Sequence, residues 1–285
     1  LDGGGYDAFK AGHIPGSVHS DYLAAGWRTT IKGVVGQFPG TKALSSLIGG
    51  LGIDNSKHVV IVYGGVSSLD FGSAARVYWT FKTIGHENVS ILNGGFKGWA
   101  NGGNKVATGE NSITPASFKT KLNKKYFASF SEVQKAQKGK GQQCLIDARP
   151  AAFFTGDKKH AKARIPGRLA NARNLQEGNL IDDSFKMKPS SAIKSQFGGL
   201  DGVEQYKGYI SYCNTGHWAA TVWFGLSEIA QIPNVKMYDG GMTHWTSNPK
   251  RKVDLEHLQT SSEDEIKKVK NIAADLKKAI MNFLS

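Results

Sequence analysis

A single cysteine, Cys213, lies in the stretch of this sequence best suited to covalent chemistry. Residues 209–212 before it have the composition of a buried strand. The residues after it follow helical spacing, with apolar side chains at Ala219, Ala220, Val222, Trp223, Leu226 and Ile229. The short connection must curl around the sulfur and aim backbone N–H groups at it, and Gly216 permits the positive φ that such a curl needs. This setting favours the reactive thiolate. The alternative is an inert, buried structural cysteine.

The residues that follow Cys213 are predicted to form its binding loop. Their backbone amides would stabilise a negatively charged sulfur, as preorganised N–H donors stabilise an oxyanion. His217 could add a positive charge or a hydrogen bond near neutral pH, or it could face solvent. Trp218 could form a wall of the pocket, although packing is the commoner role of such an aromatic side chain. The predicted loop residues are Asn214, Thr215, Gly216, His217, Trp218 and Ala219.

Composition limits the classes of protein to consider. The chain has 285 residues, enough for two domains with a core each, and 36 Lys and Arg against 23 Asp and Glu give a net charge of +13. A basic surface favours anions, but no nucleic-acid-binding motif is present and no apolar run is long enough to span a membrane. With Cys144 as the other cysteine, a disulfide scaffold and a multi-cysteine zinc site are excluded, whereas a single Cys144–Cys213 disulfide stays possible. The sequence predicts no metal and no cofactor.

The two halves of the chain repeat one pattern. The segment GHIPGSVHS at 12–20 corresponds to ARIPGRLAN at 163–171, VVIVYG at 59–64 to YISYCN at 209–214, and NGGFKGW at 93–99 to DGGMTHW at 239–245. The offset drifts slowly along the chain, as in a tandem duplication with small insertions and deletions. In each half, short apolar strands alternate with helical stretches, which indicates an α/β fold with a mostly parallel sheet flanked by helices.

The predicted organisation is an amino-terminal domain, a polar linker, a carboxy-terminal domain and a helical extension, at residues 1–100, 101–118, 119–249 and 250–285. The extension has a capping box of Ser262 and Glu265, followed by apolar residues at helical spacing, so we predict a docked tail helix. A basic amphipathic helix at a membrane surface is the alternative.

A further acidic and basic pair is predicted near the cysteine. Asp147 and Arg149 end the strand that should neighbour the Cys213 strand, and ligands of such sheets bind beyond the carboxyl ends of the strands. Otherwise Asp147 caps its own turn and Arg149 is a surface charge. Arg164 and Arg168 flank the turn at 165–167 and could also contact an anion.

Taken together, these motifs resemble those of the tandem-domain rhodanese sulfurtransferases, which act on thiosulfate or 3-mercaptopyruvate. The resemblance covers nearly the whole chain and rests on GHIPGSVH, the stretch from AARVYW to GGFKGW, LIDARPAAFF, the Cys213 loop and YDGGMTHW. It implies a catalytically silent amino-terminal domain, which fits the absence of cysteine from that half. It also implies that Asp147 supports the loop, that an arginine near it helps to bind the anionic donor, and that Asp2, His13 and Arg76 serve structure or the interface between domains.

The resemblance implies that Cys213 carries a sulfane sulfur as a persulfide and passes it to cyanide or a thiol. Asn214 and Thr215 match neither the thiosulfate-type nor the mercaptopyruvate-type loop, so both donors stay open, with thiosulfate favoured. A non-catalytic persulfide carrier is the main alternative. A cysteine-dependent phosphatase of the same fold is a remote one, because Ala219 and Ala220 occupy the place of the required arginine.

We expect a monomer that binds small sulfur donors and acceptors, without nucleic acid or integral membrane association. The first residue, Leu1, and the high pI predict a periplasmic, exported protein, with a cytoplasmic one as the alternative.

Overall fold

The computed structural model describes residues 5–255. Its first half places an antiparallel hairpin and a parallel pair of strands among helices. The elements, in chain order, are α1 (Gly5–Ala11), β1 (Thr29–Ile31), β2 (Val34–Gln37), α2 (Thr41–Gly50), β3 (Val59–Ile61), α3 (Ser68–Thr83), β4 (Val89–Ile91) and α4 (Gly95–Asn101). The helix α3 begins where the Ser67 side chain accepts a hydrogen bond from the N–H of Asp70, an arrangement that caps a helix amino terminus. Nearly all of α3 is buried, because both repeats pack against it.

The second half contains a four-stranded parallel sheet in the order β6, β5, β7, β8. Its elements are α5 (Phe130–Gln137), β5 (Gln143–Asp147), α6 (Ala151–Thr155), β6 (Ala172–Asn174), α7 (Ser190–Gly198), β7 (Gly208–Tyr212), α8 (Trp218–Phe224), β8 (Val235–Tyr238) and α9 (Gly241–Thr246), with short 3-10 helices at Glu177–Leu180 and Val203–Gln205 and a π-helical turn at Gly225–Ile229 after α8. Every residue of β7 is buried, which explains why this strand is apolar without alternation. Asp147 at the end of β5 pairs with Tyr212 at the end of β7, so the region after Cys213 lies beside the region after Asp147.

The two repeats share one large core instead of having one each. Helix α3 of the first repeat packs against α8 of the second, and the ring of Tyr78 contacts that of Phe224 edge-on at 4.9 Å. The largest buried cluster therefore contains residues of both repeats, such as Leu44 and Trp223. A smaller cluster lies against the other face of the second sheet. The expectation of two separate cores is wrong, because the interface between the repeats is itself apolar and buried.

Several predicted elements can be compared directly. At the start of the predicted carboxy-terminal domain, Ser129 and Glu132 form a reciprocal capping box that begins α5. Residues 102–118, most of the predicted linker, form no strand or helix. The predicted tail helix, with Ser262 and Glu265, and the family position Asp2 lie outside the described residues. Within residues 5–255, no helix is long and apolar enough to cross a membrane.

The two cysteines are both free and cannot reach each other in this fold. Cys144 pairs with Tyr209, four residues before Cys213. At roughly 3.3 Å per residue along a strand, that separation is about 13 Å. A disulfide requires Cα atoms within about 7 Å, so the register of β5 and β7 excludes the Cys144–Cys213 bridge.

Candidate active site

Cys213 follows β7 directly and lines a cavity to which both repeats contribute. Its side chain is buried, with 1% of its surface exposed. The backbone N–H of Gly216 donates a hydrogen bond to Sγ over 3.1 Å, so the loop does turn an amide towards the sulfur. Gly216 has φ of +77°, and a Cβ at this position would collide with the Arg76 guanidinium. The loop therefore needs glycine here, both for its backbone conformation and for close packing.

The second repeat fixes the loop through the turn that leads into α9. The N–H of Met242 donates to the carbonyl of Cys213 over 2.8 Å, and the N–H and hydroxyl of Thr243 donate to the carbonyl of Asn214 over 3.1 and 3.0 Å. At the other end of the loop, the Ser211 hydroxyl donates to the carbonyl of Ala219 over 2.8 Å. The first residues of α9, which follow the repeated DGG segment at 239–241, thus position the cysteine loop.

The first repeat supports the same loop through Arg76 of α3. This side chain is completely buried, and it donates to the carbonyl of Gly216 over 3.2 Å and to that of Gly36 over 3.1 Å. It also forms an ion pair with Asp239 at 3.6 Å, and Asp239 accepts the N–H of Phe38 over 2.6 Å. Burial lowers the pKa of Arg76, although the Asp239 carboxylate opposes that effect. Arg76 joins the first repeat to the loop around Cys213.

Asp147 and Arg149 form a buried pair beneath the loop. The Nε and Nη2 atoms of Arg149 donate to the two carboxylate oxygens of Asp147 over 2.9 and 2.6 Å, and Nη2 also donates to the carbonyl of Gly167. Nη1 lies 3.4 Å from Oδ1 of Asn214. Burial alone would lower the pKa of Arg149, but the Asp147 carboxylate raises it, so the guanidinium stays charged.

This geometry changes the interpretation of the predicted basic residues. Neither Asp147 nor Arg149 lines the cavity, so the structure gives Arg149 a role in holding the loop and not in contacting a donor. The reason is that its guanidinium turns back onto the carboxylate two residues earlier. Arg164 donates instead to the carbonyl of Thr246 over 3.2 Å, and Arg168 pairs with Asp254 at 3.0 Å. These two side chains also lie outside the cavity lining.

His217 is held by two residues of the first repeat. Its Nε2 lies 3.0 Å from the carbonyl of Leu69, which can only accept, so Nε2 carries the proton; Nδ1, 3.2 Å from the Tyr22 hydroxyl, accepts from it. Burial, followed by the charge of Arg28, lowers the pKa of His217 to about 4. The expectation that His217 supplies a positive charge is therefore wrong at neutral pH. Its contribution is to fix the loop against the first repeat.

The cavity beside Cys213 has a volume of about 600 Å³, and both repeats line it. Trp218 lines it while packing edge-on against Phe153, so it combines both roles considered for it. The lining from the first repeat was not predicted, since no recognisable motif marks those residues. The lining consists of Gly5, Asp21, Tyr22, Leu23, Arg28, Leu69, Asp70, Ser73, His160, Cys213, Asn214, Thr215, His217 and Trp218. Among the described residues, no group of three or more His, Cys, Asp or Glu side chains could hold a metal ion.

Comparison with known proteins identifies the family. The model of the rhodanese-like domain matches twice, at residues 1–102 and 129–248. The chain belongs to the rhodanese family. Both repeats are thus rhodanese-like domains, and the resemblance noted in the sequence is confirmed, as is the α/β fold with two such domains.

Named relatives of this rhodanese place it among the sulfurtransferases. It is 30% identical to the thiosulfate sulfurtransferase of Gallus gallus over 83% of this chain and 79% of the relative. It is 29% identical to the 3-mercaptopyruvate sulfurtransferase of Escherichia coli K12, over 82% of this chain and 80% of the relative. It is also 25% identical to the sulfur carrier protein TtuD of Thermus thermophilus, over 83% of each chain. Similar levels of identity to both kinds of enzyme leave the donor open.

Proposed function

We propose that this rhodanese transfers a sulfane sulfur from thiosulfate, through a persulfide on Cys213, to cyanide or a thiol. The observation that carries the proposal is the 3.1 Å hydrogen bond from the Gly216 N–H to Sγ of Cys213, which lines the cavity. A donor in this position stabilises a negatively charged sulfur without supplying a proton, which suits both a thiolate and a persulfide anion. A thiolate needs no base to attack a sulfur, and His217 is held by Tyr22 and Leu69.

The reaction has two halves. The Cys213 thiolate attacks the outer sulfur of thiosulfate, a bond forms between the two sulfurs, the S–S bond of thiosulfate breaks, and sulfite leaves with the electron pair. Cyanide then attacks the outer sulfur of the persulfide, the new S–S bond breaks, and thiocyanate leaves while the Cys213 thiolate is restored. With 3-mercaptopyruvate as donor, a C–S bond breaks and pyruvate is the product after proton uptake.

Thiosulfate is favoured as donor because of charge. It is a small dianion, and the net charge of +13 gives the protein a potential that attracts anions. Asn214 and Thr215 add no charge of their own to the loop, so the distinction between a dianion and a monoanion depends on residues elsewhere in the cavity.

Steady-state formation of thiocyanate from thiosulfate and cyanide tests the proposal, with pyruvate formation from 3-mercaptopyruvate measured in parallel. The Cys213→Ser variant should lose activity with both donors, and a variant as active as the parent would overturn the assignment of the nucleophile. Faster turnover with 3-mercaptopyruvate than with thiosulfate, at equal concentrations below saturation, would overturn the choice of donor alone.

A second function, persulfide carriage without turnover by small acceptors, is favoured by the relative named a sulfur carrier protein. Intact mass spectrometry separates the two. A sulfur adduct of about 32 Da that cyanide and small thiols remove catalytically supports the enzyme. The same adduct, stable to both acceptors, supports the carrier.

A further inference from the structure

Arg28 is the one Lys or Arg side chain that lines the cavity in the described part of the chain. It comes from the first repeat, immediately before β1, and not from the domain that carries the cysteine. The basic residues of the second repeat that the sequence offered are engaged elsewhere: Arg149 with Asp147, and Arg164 with the carbonyl of Thr246. Among the described residues, the basic side chain that an anion in this cavity would meet therefore comes from the first repeat.

The Arg28 guanidinium is held in place without being neutralised. Its Cζ lies 4.7 Å from the centre of the Tyr22 ring, within the range of a cation–π contact. Its Nε is buried and has no hydrogen-bond partner among residues 5–255, an unusual state for a guanidinium N–H. Because Nε has almost no exposed surface, a ligand would reach this guanidinium through Nη1 and Nη2.

The other titratable groups of the cavity do not replace Arg28. Asp21 accepts the N–H groups of Leu23 and Ala24 through one carboxylate oxygen, and Asp70 accepts the N–H of Val66, so both carboxylates are bound to their own turns. His217 is neutral and uses both ring nitrogens on the first repeat. Burial, with neighbouring lysines, likewise lowers the pKa of His160. None of the four supplies a cation at neutral pH.

A short series of side-chain contacts connects Arg28 to the loop that holds the sulfur. Arg28 packs on Tyr22, the Tyr22 hydroxyl bonds His217, and His217 belongs to the loop that holds Cys213. A small oxyanion bonded to Arg28 would remain in the same cavity as Sγ. A guanidinium presents parallel N–H groups that match two oxygens of a sulfonate-like or carboxylate group.

We infer that Arg28 of the silent repeat binds the oxyanion group of the sulfur donor, the sulfite end of thiosulfate or the carboxylate of a mercapto acid, while its sulfur faces Cys213. This inference rests on the proposed sulfur transfer. It gives the first repeat a direct part in substrate recognition, although that repeat contains no nucleophile.

Two variants and a control test the inference in the full-length protein. Arg28→Gln removes the charge and keeps a similar shape, Arg28→Lys keeps the charge, and Arg164→Gln removes an arginine that does not line the cavity. Because a hydrogen bond to a charged partner is lost at a partly exposed site, the KM for thiosulfate should rise about tenfold in Arg28→Gln. It should rise less in Arg28→Lys and stay unchanged in Arg164→Gln. The KM of the parent should also rise with ionic strength, more steeply than that of Arg28→Gln.

A second measurement separates binding from a merely structural role. Enzyme already loaded with sulfur is mixed with 2-mercaptoethanol, an acceptor without a carboxylate or sulfonate group, and the loss of the 32 Da adduct is timed. The inference expects equal discharge rates in the parent and in Arg28→Gln. An unchanged KM for thiosulfate, or discharge slowed as much as loading, would overturn it. A parent that never gains the adduct from either donor would instead overturn the proposed function on which the inference rests.

Discussion

Replacing Gly216 by alanine should damage the site in two separable ways. An alanine at φ of +77° costs about 1–2 kcal/mol of folding free energy because its Cβ approaches the backbone. Its Cβ would also displace the Arg76 guanidinium and come within 2.9 Å of the Asp239 carbonyl. As the loop shifts to relieve that collision, the N–H bond to Sγ is lost. A hydrogen bond to a charged group contributes about 1.5–3 kcal/mol, so sulfur loading should slow by roughly tenfold to a hundredfold.

The measurements are urea unfolding and the rate of sulfur loading at a fixed, subsaturating thiosulfate concentration. Gly16→Ala is the matched control, since Gly16 has nearly the same φ, +79°, but nothing within 4 Å of its Cβ position. The control should lose about 1–2 kcal/mol of stability and load at the parent rate. If Gly216→Ala loaded sulfur within about twofold of the parent, the amide of Gly216 would not be what stabilises the sulfur, and the reasoning would fail.

Further variants follow from the same contacts. Arg149→Met leaves the buried Asp147 carboxylate unpaired and should lower the free energy of unfolding by about 3–5 kcal/mol in urea titrations at pH 7, with little change in the KM for thiosulfate. Burial raises the pKa of Cys144 to about 11, so Cys144→Ala should keep full thiocyanate formation, and iodoacetamide at pH 8 should not modify Cys144 in the folded parent. Folding lowers the pKa of His217 from 6.5 to about 4. Between pH 6.5 and pH 4 the unfolded chain therefore binds one more proton at this residue than the folded chain does, so the free energy of unfolding decreases as the pH decreases. Urea midpoints at pH 7 and pH 5 should therefore differ less in His217→Asn than in the parent; an equal difference would contradict the shift.

The sequence was most informative where local chemistry decides the structure. A buried run before Cys213 and helical spacing after it predicted the strand, loop and helix that the structure contains, and Gly216 does adopt the expected positive φ.

What the sequence could not show depends on contacts between distant parts of the chain. The neutral state of His217 follows from burial against Tyr22 and Leu69 of the other repeat, and no local pattern encodes that contact. Whether Arg149 points outwards or back to Asp147 is a choice of side-chain rotamer, which residue spacing leaves open. No sequence motif marks Arg28, because this residue reaches the cavity only when the two repeats pack together.

The deep placement of Cys213 also affects how far the transferred sulfur reaches. With 1% of its surface exposed, the resting thiol offers little for a bulky reagent to touch. A sulfur bonded to it extends the side chain by about 2 Å, the length of an S–S bond, and the open side of Cys213 is the cavity. An acceptor would thus meet the outer sulfur before it could meet the cysteine. Formation of the persulfide would thus move the reactive sulfur further into the cavity, and its transfer to an acceptor would leave only the buried thiolate.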